Sequence, residues 1–510
     1  MPGQTLISMN TFSTKIFYVS LALAGLVLGL HCLILWIAPF ESIYPTEPAI
    51  AILWAFFAVF FVFARLVLTQ SGMTPIDRLA PRITLDEAFQ DRRLQTALVL
   101  VSLVGVILHV WTKHYLTLMH PITCISEIRF AWTAVDRSVL PFHIRIGSIL
   151  GHLLTSFAYL GVMAASFNIV RSGWIKRSDQ ILQLFFVIVG VLYAGFIGSR
   201  NVMLAFLAMG LVGTLLGITY PGRTKQLRRQ FRVFVAGLLL PVVSTVLFSS
   251  LIFSDRLFCD TPNALIKLGW PILSTASNGH IERLPLLHPS AGQTSAGETS
   301  AGETSEFHMA GNYKEFALVP RYYDGQSDWR RTLFIYKCSI CGPTMVYVNH
   351  GIFNLSGMMA SEARGGAILL TFLGSWLERL GFIEATAFGR LEKRVYGPGG
   401  ISLAGAAYHD YGVAGLAITA AVLGGLFGGS IRMMRANGTS SLVGVWLFSC
   451  LLYVLLISNM FVGFNVLPFP FIAFGVGCGL AAWLVINNWR LATYQGASFQ
   501  AHTAEDGTHV

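Results

Sequence analysis

Long runs of apolar residues dominate the chain, and the polar residues are concentrated between these runs. A helix needs about 20 apolar residues to cross the hydrocarbon core of a bilayer. Ten segments reach this length without an acidic or basic residue away from their ends, and each is predicted to be a transmembrane helix. They are 17–38, 48–67, 94–112, 146–169, 180–198, 202–220, 233–253, 411–430, 441–459 and 466–487.

Three further segments interrupt the polar stretch before the eighth span. Residues 366–377 are apolar but short, so they are predicted to be re-entrant or interfacial, with a full span as the alternative. Residues 375–394 mix aromatic and aliphatic positions with two charge clusters, which is typical of a helix lying on the outer interface. Residues 290–305 are a five-residue tandem repeat without a large apolar side chain, and are predicted to be a disordered insertion without a function of its own.

Composition agrees with this pattern. Of 510 residues, 54% are apolar and only 12% are charged, whereas roughly a quarter of the residues of a soluble domain are charged. A water-soluble globular protein is therefore excluded. The first apolar segment is too long, and lacks the small-residue cleavage site, to be a removed signal peptide, so it is expected to remain as an anchor.

The predicted fold is an all-α polytopic membrane protein with about 10 transmembrane helices. Residues 1–253 form a seven-helix N-terminal part, 254–410 form a large external loop, and 411–510 form a three-helix C-terminal part with a cytoplasmic tail. This loop is too irregular for its internal structure to be predicted from periodicity.

Basic residues in the short loops predict the orientation, because positive charge accumulates on the cytoplasmic side. Three loops that fall on one side are rich in Lys and Arg, whereas the opposite loops 39–47 and 460–465 have none. Both termini are therefore expected to be cytoplasmic. The basic residues of the three loops are Arg78, Arg82, Arg92, Arg93, Arg171, Lys176, Arg177, Arg223, Lys225, Arg228, Arg229 and Arg232.

The net charge of +10 is divided between the two sides. Eighteen of the 35 basic residues fall on the outer side, thirteen of them between 254 and 410, where topology does not require them. An anionic partner at the outer membrane face is the simplest physical reason. The sequence lacks a basic surface interleaved with aromatic residues, so nucleic acid is not expected as a partner.

Ionisable residues are scarce inside the predicted spans, which argues against ion-coupled transport. Histidines do occur there, at His31, His109 and His152. His152 shares a helix face with Ser148 and Ser156, so it either lies at the floor of an external cavity or forms an interhelical hydrogen bond.

No metal site is predicted, since there is no Asp-x-Asp pair and the single CxxC has no partner set to complete a zinc site. One structural disulfide is expected among the four external cysteines, with three possible pairings. These four are Cys124, Cys259, Cys338 and Cys341, whereas Cys32, Cys450 and Cys478 lie in predicted spans as packing residues.

Arg200 lies in the outer turn between spans five and six, after Gly198 and Ser199. A guanidinium group can hold a phosphate through two parallel hydrogen bonds. A lipid-linked phosphate or diphosphate is thus a sensible ligand. The alternative is that Arg200 extends to the lipid headgroups.

The end of the large loop carries the second cluster of candidate residues. Arg390, Lys393 and Arg394 precede a glycine-rich connection, and Tyr408, His409 and Asp410 follow where span eight begins. His409 could act as a general base towards a hydroxyl group, because the pKa of a histidine lies near the working pH. The alternative is an interfacial aromatic anchor formed by Tyr408 and its neighbours.

Two of these stretches are similar to the Wzy-type polysaccharide repeat-unit polymerases. They are GSR at 198–200 before an apolar span, and GPGGISLAGAAYHDYGVAGLAI at 397–418, in a chain with about ten spans and a late external loop. The resemblance implies glycosyl transfer at the periplasmic face of a bacterial inner membrane, in which a glycan leaves undecaprenyl diphosphate and joins a second lipid-linked repeat unit. It also implies arginines that hold the diphosphates. The family's pattern of an arginine, ten residues and a glycine is matched by Arg394 and Gly405. The same pattern counted from Arg200 is not matched, because residue 211 is a leucine. In the related O-antigen ligases an outer-loop histidine is used, which His409 could match.

The chemistry of the residues and the resemblance to the polymerases indicate the same candidate site. No cofactor is expected. Breaking a sugar–diphosphate bond requires stabilisation of leaving-group charge, which fixed cations can supply. Expected partners are the lipid-linked glycan, a chain-length regulator and a flippase. The candidate substrate-binding residues are Arg200, Arg256, Arg390, Arg394 and Tyr408, and the candidate catalytic residues are His409, Asp410 and Glu392.

Three alternatives to a polymerase remain open from sequence. An O-antigen ligase would use the same chemistry to transfer glycan to a lipid core. A flippase or transporter of lipid-linked oligosaccharide is a different class, and a non-catalytic assembly subunit is a third.

Overall fold

The structure is a computed structural model, and its described residues are almost entirely helical. Eight of the helices are long and apolar enough to cross a membrane, and two shorter apolar helices accompany them. The described residues are 3–37, 40–42, 44–70, 82–119, 141–172, 177–197, 200–219, 238–248, 273–275, 281–283, 318–320, 341–360, 369, 401–434, 440–460 and 468–505.

The helices and strands are numbered here in chain order. The helices are α1 (Gly3–Ile37), α2 (Glu47–Thr69), α3 (Leu85–Gln90), α4 (Arg92–Met119), α5 (Phe142–Thr155), α6 (Phe157–Ser172), α7 (Arg177–Ile197), α8 (Arg200–Thr219), α9 (Leu238–Phe248), α10 (Cys341–Ala360), α11 (Leu403–Met433), α12 (Leu442–Ile457) and α13 (Pro468–Glu505). The strands form three short antiparallel pairs, β1 (Phe40–Ser42) with β5 (Leu318–Pro320), β2 (Arg82–Ile83) with β6 (Ser440–Ser441), and β3 (Leu273–Thr275) with β4 (Ile281–Arg283).

The prediction of a multi-pass helical membrane protein is confirmed in its coarse form. Each of the ten predicted spans contains a described helix, and eight are long enough to cross a membrane, with α5 and α6 counted together. The shorter apolar helices are α9 and α12, so a count of ten spans stays a prediction. Large apolar side chains are exposed on the outer faces of the bundle, as lipid contact requires, for example Leu26 and Val485.

The enclosed centre of the bundle is built around α6 and α8. These helices run parallel and approach closely, because Gly213 lies against the carbonyl of Met163 and Gly217 against that of Phe167. Small residues at such contacts let two backbones approach, which favours helix association in a membrane. Tyr159 of α6 is fully buried against this interface.

Helices α2 and α11 form the second close pair. Gly424 faces the carbonyl of Phe60 and Gly428 faces that of Ala64, so a larger residue at either glycine would separate the helices. Residue numbers rise together along the two helices, from Gly424 beside Phe60 to Gly428 beside Ala64, so α2 and α11 run in the same direction. The N-terminal end of α2 therefore lies at the same end of the bundle as the first turns of α11.

A short amphipathic helix, α3, is bound to one end of the bundle. Arg171 of α6 donates two hydrogen bonds of 2.8 Å to the carboxylate of Asp86, and Asn168 donates to the carbonyl of Phe89. Nearby, Trp483 of α13 donates to Asp91. The segment between α2 and α4 thus fixes the N-terminal and C-terminal parts of the chain to each other.

Parts of the predicted external loop are helical. Residues 341–360 form α10, which the sequence reasoning missed, and residues 403–410 are the first turns of α11 rather than loop. The repeat at 290–305 and the predicted interfacial helix at 375–394 lie outside the described residues, and of 366–377 only Leu369 is described.

Candidate functional site

A buried His–Asp pair occupies the first part of α11. The Nδ1 atom of His409 lies 3.1 Å from Oδ1 of Asp410, and the two side chains are 2% and 0% exposed. The backbone N–H of Leu369 donates to Oδ2 of Asp410 at 2.8 Å. Both carboxylate oxygens are therefore hydrogen-bonded, and the carboxylate fixes the orientation of the imidazole ring.

The sequence predicted this pair at the membrane's outer rim, where the eighth span begins, and its position relative to a membrane stays a prediction. His409 and Asp410 lie within a helix and are buried against the bundle. The physical reason is the composition of the preceding turn, where Leu403, Ala404, Gly405, Ala406 and Ala407 are small or apolar and are all buried. Such a segment packs into the protein instead of lying on its surface.

A break in the helix follows the pair directly. Gly412 has φ 65° and ψ −152°, and it separates residues 403–411 from 413–433 of α11. This backbone conformation is essentially restricted to glycine. The pair therefore lies at the C-terminal end of a short helical segment, next to a bend that only glycine accommodates without strain.

Three elements meet at the other end of this short segment. Ser402 caps α11 by accepting a hydrogen bond from the N–H of Gly405 at 3.0 Å, and the N–H of Leu403 donates to the carbonyl of Ser458 at 2.8 Å. Gly351 of α10 lies against the carbonyl of Asn459 and the side chain of Ser402. The start of α11 is thereby held between α10 and the end of α12.

Of the eight predicted site residues, the structure brings His409 and Asp410 together. Tyr408 is half-buried and packs against the apolar core. Arg200 is the first residue of α8, but its side chain lies outside the described part of the chain. The remaining predicted residues, Arg256, Arg390, Glu392 and Arg394, also lie outside it.

The disulfide stays a prediction, since Cys124, Cys259 and Cys338 and the side chain of Cys341 lie outside the described part of the chain. The other three cysteines are free thiols in helices: Cys450 is buried as a packing residue should be, Cys32 is half-buried, and Cys478 is exposed, against the expectation.

A second polar cluster joins α4, α5 and α7. The Nδ1 atom of His152 and the hydroxyl of Tyr193 are 3.0 Å apart, and the rings of His109 and His152 are 4.6 Å apart. Of the two alternatives for His152, the structure contains the interhelical hydrogen bond. His31 is different, because its Nδ1 lies 2.7 Å from the carbonyl of Val27 in the same helix.

Lys113 extends this cluster and corrects a predicted boundary. The sequence placed Lys113 in an outer segment at 113–145, but α4 continues to Met119 and Lys113 is 8% exposed, one turn after His109. Within the described helices, His, Lys and Asp side chains are therefore buried at three places: around Lys113, at the His409–Asp410 pair and at His31 of α1. Sequence reasoning missed the first because it ended the helix at residue 112.

Within the described residues, no group of three or more His, Cys, Asp or Glu side chains is arranged to hold a metal ion. Comparison of the chain with protein-family models, with curated proteins and with solved structures gives no match.

Proposed function

We propose that this chain is a membrane-embedded glycosyltransferase that polymerises lipid-linked oligosaccharide repeat units. The observation that carries the proposal is the buried His409–Asp410 pair at a helix break, which has the geometry of a general base held by a carboxylate. The sequence similarity to Wzy-type polymerases supports the same reaction.

In the proposed reaction a hydroxyl of the acceptor sugar attacks the anomeric carbon of the donor glycan. The bond between that carbon and the diphosphate oxygen breaks, and undecaprenyl diphosphate leaves. His409 accepts the hydroxyl proton at Nε2, and Asp410 stabilises the resulting imidazolium through Nδ1. Burial strengthens this electrostatic stabilisation, because water does not screen it.

The diphosphate of the donor requires positive charge, and Arg200 is the proposed ligand. It is the first residue of the 20-residue helix α8, whose first-turn N–H groups have no partner within the helix. A helix N-terminus and a guanidinium group both favour a phosphate. Arg256, Arg390 and Arg394 are the further proposed cations, and Glu392 is a second candidate base.

The test uses cells in which the chromosomal copy is deleted. The polymerase assignment predicts that the deletion strain accumulates single repeat units on lipid, that the wild-type chain restores long glycan, and that His409→Ala does not. A ligase would instead leave long glycan on undecaprenyl diphosphate that never reaches a lipid core. Long glycan from cells producing His409→Ala at normal levels would refute the proposed role of His409.

A flippase or transporter is the second candidate, favoured by one specific observation. Broken helices with ionisable groups at the break are the usual binding sites of secondary transporters, and α11 has this arrangement at Gly412 and Asp410. Movement of labelled lipid-linked oligosaccharide across proteoliposomes that contain this protein alone would favour the transporter. Chain extension without movement would favour the polymerase.

A further inference from the structure

Basic side chains from three helices converge between α4, α5 and α7. The ring centres of His109 and His152 are 4.6 Å apart, and both Lys113 and His152 interact electrostatically with His109. The hydroxyl of Tyr193 lies 3.0 Å from Nδ1 of His152, and its ring centre lies 5.1 Å from that of His109. These four residues, His109, Lys113, His152 and Tyr193, are called the basic cluster below.

The basic cluster reaches the surface of the bundle at His152. Phe471 of α13 stacks on the ring of His152, with 5.1 Å between ring centres. His152 is nevertheless only half-buried, whereas His109 is 1% exposed and Lys113 is 8% exposed. Arg145 is exposed and precedes His152 by about two turns on the same face of α5. A further cation therefore lies on the approach to the cluster.

The helices around the basic cluster bring no carboxylate to it. Helices α4 and α5 contain no Asp or Glu. Helix α7 contains only Asp179, at the opposite end from Tyr193, and α13 contains only Glu505, its last residue. The Nε2 atom of His109 is buried and has no hydrogen-bond partner among the described residues. Because cationic groups are costly to bury without a counter-charge, this arrangement favours binding of an anion.

The basic cluster lies close to the ends of the helices that form it. Helix α7 has 21 residues, which corresponds to a length of about 31 Å, close to the thickness of the hydrocarbon core. Tyr193 lies one turn before the end of α7, and Phe196, which stacks on His109, lies in its last turn. Phe471 lies in the first turn of α13. The cluster is therefore near the level of lipid phosphates, beside the turn that leads to Arg200.

The chemistry of the basic cluster selects a phosphate as its ligand. Lysine and protonated imidazole groups only donate hydrogen bonds, and a tyrosine hydroxyl can donate one, whereas phosphate oxygens accept them. Phosphates are also the anions that lipids place at this level of a membrane. A metal cation is disfavoured, because the ammonium group of Lys113 would repel it.

We infer that the basic cluster binds a phosphate group of a membrane lipid. The lipid is either a lipid-linked diphosphate or an anionic phospholipid, and the two share the chemistry that the cluster recognises. This inference goes beyond the proposed function, which assigns the donor diphosphate to Arg200 and the acceptor proton to His409. Phosphate binding does not require glycan transfer, so it is tested independently of that reaction.

The test measures lipid binding to the purified full-length protein by native mass spectrometry. The probes are undecaprenyl diphosphate, phosphatidylglycerol and diacylglycerol, the last of which has lipid tails but no phosphate. The wild type is expected to bind at least one phosphate lipid about 10-fold more tightly than diacylglycerol. The phosphate lipid that binds more tightly identifies the source of the phosphate.

Two variants remove donors from the basic cluster and keep a polar side chain. Lys113→Gln and His152→Gln are each expected to weaken binding of the preferred phosphate lipid about 10-fold. Binding of diacylglycerol should not change. Because His152 is only half-buried, His152→Gln tests the site even where Lys113→Gln does not fold.

Arg177→Gln is the matched control. Arg177 is an exposed basic residue at the first position of α7, at the opposite end of that helix from Tyr193. Its replacement removes one positive charge from the protein without touching the basic cluster, and should change lipid affinity by less than about 2-fold.

Three results would overturn the site. Binding of diacylglycerol as tightly as either phosphate lipid would mean that the wild type does not recognise the phosphate. Unchanged affinity in both Lys113→Gln and His152→Gln would place phosphate binding elsewhere. An equal loss in Arg177→Gln would mean that only the overall charge of the protein attracts the lipid. Each of these results would leave the proposed roles of Arg200 and His409 intact, because none of them measures glycan transfer.

Discussion

His409 and Asp410 are adjacent in sequence and bonded to each other through Nδ1 and Oδ1 at 3.1 Å, within a helix that breaks two residues later. Adjacent residues of a helix point about 100° apart, so the contact requires that both side chains turn towards each other. The hydrogen bond from Leu369 to the second carboxylate oxygen holds Asp410 in this position.

Replacing Asp410 by Asn should slow glycan polymerisation by about 100-fold or more, because the amide cannot stabilise an imidazolium. The rate of chain extension by purified protein is the measurement. Asp86→Asn is the control, since Asp86 pairs with Arg171 away from the proposed site. Equal rates for Asp410→Asn and wild type would contradict the role of the carboxylate.

Gly412→Ala should destabilise the protein by about 1–3 kcal/mol, through backbone strain alone. A Cβ at Gly412 would meet no atom within 4 Å, but φ is 65°. Thermal unfolding in detergent measures the effect. Gly425→Ala adds the same methyl group farther along α11, where it would lie 3.8 Å from Cγ2 of Val67, and should be close to neutral. A neutral Gly412→Ala would mean that the bend relaxes without cost.

Gly428→Ala should separate α2 from α11 and cost about 1–3 kcal/mol, because its methyl group would overlap the carbonyl of Ala64. The neighbouring Gly429→Ala is the matched control, as its methyl group would lie 3.9 Å from Val67. Melting temperatures of the two variants in the same detergent give the comparison. Similar values for both would argue against close packing at this interface.

Tyr193→Phe should cost about 1–2 kcal/mol, because it removes the hydroxyl that bonds to the half-buried His152. Tyr159→Phe removes a fully buried hydroxyl that has no hydrogen-bond partner among the described residues, and should be neutral or stabilising. Unfolding of both variants measures the difference. If Tyr193→Phe also abolishes polymerisation while the protein stays folded, the His109–His152 cluster belongs to the active site and is more than a structural contact.

The Arg171–Asp86 pair should contribute about 1–2 kcal/mol, since it is bidentate and its side chains are 14% and 30% exposed. A double-mutant cycle with Arg171→Ala and Asp86→Ala isolates the interaction from other effects of each change. A coupling free energy near zero would mean that α3 is held by its apolar residues and by the hydrogen bond from Asn168 to Phe89, without help from the ion pair.

The apolar runs were sufficient to predict where the long apolar helices lie, because the thickness of the hydrocarbon core sets a length that an apolar run must reach. Helix α10 was missed because Asn349, His350 and Asn354 interrupt its apolar residues. These polar residues are tolerated because the helix packs inside the protein, with Asn349 and Asn354 fully or almost fully buried. Burial of that kind depends on contacts between distant segments, which a single sequence does not specify.

The residues of the candidate site were predictable from the sequence, but their surroundings were not. The types and order of His409 and Asp410 were sufficient to select them, since their adjacency is a property of the sequence. Their burial and the bend at Gly412 were not predictable, because a glycine in a glycine-rich stretch gives no sign of which position takes a positive φ.

The central claim is that His409 takes the proton of an acceptor sugar, and one measurement tests it directly. Wild-type protein and His409→Gln are purified, reconstituted in liposomes and supplied with lipid-linked repeat units from the source cells. The account predicts a ladder of glycan lengths from the wild type and single repeat units from the equally stable His409→Gln protein. The same ladder from both proteins would contradict the account.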